Sequence, residues 1–120
     1  MKTKQYLRAF VMSACFAVSV HAVAHAHPKT EVPADGATVA APPEVSIVFD
    51  DALEPAFSSI TVNDAQGHPV TTAKAELDTV THKNLHVSLP TLAPGAYLVK
   101  WVAVSVDGHR TNGAYRFTVK

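Results

Sequence analysis

Apolar and polar residues alternate along the second half of this chain in short runs set off by Pro and Gly. Val45, Ile47 and Phe49 share one face of the run Val45–Phe49, and Ser59–Asn63 repeats the pattern. Leu85, Val87 and Leu89 fall together, as do Tyr97, Val99, Trp101 and Ala103 in the longest run, Tyr97–Ser105. Tyr115, Phe117 and Val119 close the chain in the same rhythm. Period-two alternation bounded by turn residues predicts half-buried strands. Weaker runs at His27–Val32 and Val70–Glu76 bring the total to about seven strands, the number expected of an immunoglobulin-like Greek-key sandwich or barrel. No segment after the first two dozen residues carries a helical period. The expected fold is therefore all-β, in one domain.

The first residues follow a different rule. Lys2, Lys4 and Arg8 precede an apolar run from Ala9 to Val20, and Ala22-Val23-Ala24 places small residues where signal peptidase requires them. That order is a secretory signal, and the run is too short for the roughly 20 residues of a membrane-spanning helix. Met12-Ser13-Ala14-Cys15 loosely resembles a lipoprotein cleavage site, but only Ala9–Ala14 would then form its apolar part, so Cys15 reads as part of the apolar region. Residues 1–24 are thus the expected signal peptide and 25–120 the mature domain. Cleavage before His25 fits the small-x-small rule, and so does cleavage before His27 after Ala24-His25-Ala26. No membrane insertion is expected once the signal is gone.

Processing changes the composition in a way that narrows the chemistry. The mature chain keeps seven Lys and Arg against ten Asp and Glu, a net charge of −3 with His neutral. No basic patch stands out, which argues against nucleic acid as a partner. The single Cys and both Met residues precede residue 25, so no disulfide and no sulfur ligand is available to the mature domain. Gly-x-Ser-x-Gly elbows and phosphate-cradling glycine loops are absent. Asp50-Asp51 reads as a solvated turn rather than an acid–base pair, because adjacent extended residues face opposite ways.

Six histidines remain. His68 lies in a Gly-His-Pro turn, His82 and His86 have helical ligand spacing within a strand-like region, and His86 opposes an apolar face; all three read as ordinary surface residues. The others carry chemistry. As a new N-terminus, His25 presents an amine and an imidazole that can close a chelate ring on a metal. Asp107-Gly108-His109 offers a carboxylate and an imidazole two residues apart, which in an extended segment point the same way. His27 is an additional or alternative ligand, since an amine followed by a third-position His can wrap a metal by itself. Nitrogen and oxygen donors without sulfur suit Cu(II) rather than Cu(I) or zinc.

These features together resemble the CopC-type periplasmic copper-binding proteins, the CopC, PcoC and YobA group. The resemblance spans residues 25–120 and rests on His25-Ala26-His27, Pro33-Ala34-Asp35-Gly36, Phe49-Asp50-Asp51, Gly95 to Trp101, Val104 to His109, Gly113 and Phe117-Thr118-Val119. It implies a small Greek-key β-barrel binding one Cu(II) through His25, Asp107 and His109, in a periplasmic protein of copper homeostasis or resistance that is not an enzyme. It also implies a possible receiver, a CopD-type inner-membrane copper protein. Two departures from the family pattern stand out. The Met-rich Cu(I) loop of some members is missing, and the usual Phe-Ser-Glu-Pro is here Phe49-Asp50-Asp51-Ala52. Two other readings stay open on the sequence alone: an immunoglobulin-like interaction module with incidental histidines, and a copper monooxygenase with a histidine brace.

Overall fold

Each strongly alternating run becomes a strand whose apolar face is buried. In the computed structural model, which describes residues 25–120 and Ala17, eight strands occur. They are β1 (Pro28–Val32), β2 (Thr38–Val39), β3 (Glu44–Phe49), β4 (Ser59–Asn63), β5 (Glu76–Leu77), β6 (Asn84–Ser88), β7 (Gly95–Val104) and β8 (Arg110–Val119). Val45, Ile47 and Phe49 of β3, Leu85 and Val87 of β6, and Val99 and Ala103 of β7 are all buried. Sequestering each of the larger of these side chains, Ala103 excepted, contributes about 1.5–3 kcal/mol.

The strands form two four-stranded sheets, ordered β1-β3-β6-β5 and β2-β8-β7-β4. All pairs are antiparallel except β2 with β8. Only the β5–β6 and β7–β8 connections stay within one sheet; every other connection crosses between sheets. The result is a sandwich of two sheets rather than the closed barrel that the resemblance implied. Aromatic pairs fill the space between them: Phe49 meets Trp101 edge to face at 5.3 Å, and Tyr97 stacks on Phe117 at 5.6 Å.

The sequence reading needs three corrections of detail. Among the described residues there are eight strands where about seven were expected, because β2 is only two residues long and carries no readable period. Val70–Glu76 is not a strand; only Glu76 and Leu77 pair, and Val70 is fastened by one hydrogen bond to Val62. The last strand begins five residues before Tyr115, since Arg110–Ala114 pair along the whole far end of β7 although their side chains hardly alternate.

One end of the sandwich gathers the chemistry. The start of β1 lies beside the end of β3, with Pro28 opposite Phe49. The Phe49 amide donates to the Lys83 carbonyl just before β6. Leu53 bridges to Ser105 at the end of β7, so the β3–β4 connection and the β7–β8 turn meet at the same end.

Candidate metal site

The segment leading into β1 is fixed by burial and hydrogen bonding, not by strand pairing. Ala26 is fully buried in the core while His25 and His27 on either side are exposed. This in–out alternation turns both imidazoles toward the sandwich end. The Ala26 carbonyl accepts a hydrogen bond of 2.7 Å from the Thr111 hydroxyl on β8, in the opposite sheet. His27 and Asp50 are tied twice: the His27 amide donates to Asp50 Oδ1 at 2.8 Å, and the Asp50 amide donates to the His27 carbonyl at 3.0 Å.

Asp107 and His109 are also close together, but not in the way the spacing suggested. The segment is the turn between β7 and β8 rather than an extended stretch. Gly108 takes a φ of 90°, a conformation that costs glycine little, and its amide donates to the Ser105 carbonyl at 2.8 Å. Asp107 stabilises the turn by accepting from the His109 amide at 3.1 Å through Oδ1, while Oδ2 lies 2.9 Å from His109 Nδ1. The hydroxyl of Ser105, a fully buried residue, donates to the same Oδ1.

These bonds set the charge of the carboxylate. The Ser105 hydroxyl, then the His109 imidazole and amide, stabilise the ionised form and bring the Asp107 pKa down to about 2. Asp107 is therefore charged at every ordinary pH, and its native contacts are lost only as the pH falls through about 2. A carboxylate on Nδ1 fixes the imidazole and leaves Nε2 free to face a metal. Replacing Ser105 by alanine should raise the Asp107 pKa toward the ordinary carboxylate value and weaken metal binding by about 10–100-fold, the range typical when a ligand's supporting partner is lost. Titrating the carboxyl carbon by NMR tests the first half; an unchanged value near 2 would refute it.

Across the sandwich end, the His25 and His109 rings lie 5.2 Å apart between centroids and nearly perpendicular, at 79°. The His27 ring lies 6.3 Å from that of His25 between centroids. All four sequence-predicted residues thus share one surface. Among the described residues, no three His, Cys, Asp or Glu side chains already surround a common point. The Asp107 carboxylate is engaged by His109 and Ser105, so direct ligation requires Oδ2 to turn from the imidazole to the metal. The donors are imidazole nitrogen and carboxylate oxygen, a set matched to Cu(II).

The remaining histidines lie apart from this cluster. His68 is exposed in a turn with its Nδ1 3.7 Å from Asp64. His82 occupies the β5–β6 turn with a φ of 55°. His86 faces outward on β6, its Nε2 3.9 Å from Glu76. Sequence reasoning overlooked Asp50, Ser105 and Thr111, whose roles depend on contacts across 23 and 85 residues or on a buried hydroxyl. Only Ser105, two residues before Asp107, stood close enough in sequence to be noticed.

Comparison with known proteins gives this geometry its context. The CopC domain family matches residues 29–120. The protein YobA of Escherichia coli K12 is 39% identical over 99 residues, covering 81% of this chain and 80% of its own. The crystal structure of CopC from Methylosinus trichosporium OB3b superposes with a TM-score of 0.76 at 36% identity, covering 80% of this chain and 94% of that one. That of PcoC, a methionine-rich copper resistance protein from Escherichia coli, gives 0.73 at 32% identity, covering 81% and 100%. Sequence and fold thus agree over most of the described residues, and the chain belongs to the CopC family, whose members bind copper and are not enzymes.

Proposed function

We propose that this protein is a periplasmic Cu(II) carrier, exported by residues 1–24 and cut before His25. It binds one Cu(II) through the His25 amine and imidazole, the His109 imidazole and the Asp107 carboxylate, with His27 as an additional or alternative ligand. The observation that carries this reading is the approach of His25 to His109, two residues far apart in sequence, beside a carboxylate already fixed on the second imidazole. Its copper chemistry is supported by kinship with PcoC, a copper resistance protein. Without Met or Cys after residue 15, the mature domain has nitrogen and oxygen donors only, and its Cu(I) affinity is negligible. No helix among the described residues is long and apolar enough to cross a membrane. Bound copper is sequestered or passed to a CopD-type inner-membrane protein.

Titrating the exported protein with Cu(II) and following it by electron paramagnetic resonance should give one saturable signal at one equivalent. Protons compete with metal for amines and imidazoles, whose ordinary pKa values are about 7.7–8.0 and 6.5, so affinity should fall between pH 8 and pH 5. Asp107 takes no part in that fall, since its carboxyl stays ionised down to about 2. Affinity that stays flat over this range, or a tight Cu(I) site in a competition titration, would count against the assignment. Sequencing of the exported protein's terminus checks the cleavage before His25.

A further inference from the structure

A processed terminus reading His25-Ala26-His27 has two ways to hold a metal. It can offer the His25 amine and imidazole to a shared site with His109. Alternatively, it can wrap the metal alone, placing the amine, the backbone nitrogens of residues 26 and 27, and the third-position imidazole in one plane. The second mode needs both backbone nitrogens as donors and a sharply curled chain.

The contacts at the sandwich end oppose that curl at each of its points. The residue 27 nitrogen is committed to Asp50 Oδ1, and the carbonyl of the same residue is held by the Asp50 amide. Residue 26 has no exposed surface, so a metal reaches its nitrogen only if Ala26 leaves the core. Its carbonyl is anchored across the sandwich by the Thr111 hydroxyl. The bond to Asp50 is made to a carboxylate, and such bonds are stronger than neutral ones.

We propose that Asp50 and Thr111 are positioning residues that, with Ala26 buried at the sandwich end, hold the first three residues of the processed chain extended, so that the terminus offers His25 to His109 and cannot wrap a metal by itself. The clamp acts on metal selectivity as well as geometry. The planar four-nitrogen mode is well suited to Ni(II), whereas the shared site puts a carboxylate oxygen in place of one nitrogen. An extended terminus therefore excludes the arrangement in which Ni(II) competes best. This inference rests on cleavage before His25, as proposed above.

Ni(II) reads the clamp directly, because the planar four-nitrogen complex is yellow and diamagnetic. The processed chain starting at His25, which contains all eight strands, is titrated beside the free peptide His-Ala-His-Pro. The expected result is a yellow complex in the protein at least roughly tenfold weaker than in the peptide, the size of one charge-assisted hydrogen bond. Asp50→Ala combined with Thr111→Val should recover peptide-like binding, and adding His27→Ala should abolish it again. Asp50→Asn alone keeps an acceptor oxygen but loses the charge, and should fall between wild type and the double variant. Wild-type protein matching the peptide would overturn the clamp, as would a double variant that keeps its β circular dichroism and gains nothing. Should the double variant unfold, the comparison of wild type with peptide decides alone. Cu(II) binding by His109→Ala, measured in parallel, tests the shared site separately: a failure there leaves the Ni(II) result standing, and the reverse holds too.

Discussion

Cu(II) affinity is expected to drop by more than about 100-fold when His109 is replaced by alanine, because loss of a ligand exceeds the 10–100-fold cost of losing a ligand's support. His109 has no substitute at the sandwich end. It immediately precedes β8, its imidazole is oriented by Asp107, and the His25 ring lies 5.2 Å away. His27, the other imidazole near His25, lies 6.3 Å from it between ring centroids. Asp107→Ala should also weaken binding, by removing one donor and releasing the His109 ring. Alanine at His68, His82 or His86 should change affinity by no more than about threefold, within the spread of surface substitutions. Chelator competition on the processed protein measures all five variants. If His86→Ala proves the most damaging, the metal is bound elsewhere.

The largest effect on stability is expected at a residue with no side chain. Gly113 lies opposite Trp101 in the β7–β8 ladder. A Cβ there would stand 2.6 Å from Trp101 Cζ2 and 2.8 Å from Cε2, well inside contact distance. The φ of Gly113 is not left-handed, so the cost is steric and not a matter of backbone freedom. The indole cannot retreat easily, being packed edge to face on fully buried Phe49. Gly113→Ala should therefore cost about 1–3 kcal/mol, the usual price of overpacking a core. In a domain of this size each kcal/mol lowers the melting temperature by about 4–8 °C. Combining it with Trp101→Phe, which frees the space, should cost less than the two changes added together. A strictly additive pair would show that the clash is relieved by some other movement.

What the sequence made legible was the part of the fold that repeats a local rule. Strands β3, β4, β6 and β7 have one face in the core and one outside, so alternation alone marks them. β2 and β5, two residues each, owe their pairing to neighbouring strands and leave no trace in the pattern. Val70–Glu76 has β-branched residues but only its last member joins a sheet, which propensity cannot reveal. The site was legible as a set of residue types, with its local geometry misjudged. Asp107 and His109 meet because a glycine turn folds them together, whereas an extended chain would have aligned them side by side. Asp50, read only as a solvated turn residue, reaches back 23 residues to the chain start. No spacing rule reports a contact of that range.

A metal held in the proposed site would act as a cross-link. His25 leads into β1, the edge strand of one sheet, while His109 leads into β8, in the other. A metal shared by the two would join the sheets and close a loop of 85 residues, 25 to 109. A disulfide closing a loop of that length contributes about 4.6 kcal/mol in the chain-entropy account. This domain has no cysteine with which to form one. With a metal bound in the proposed site the domain would be a stapled sandwich and without it an unstapled one, with the edge strand β1 the part whose tethering differs most between them.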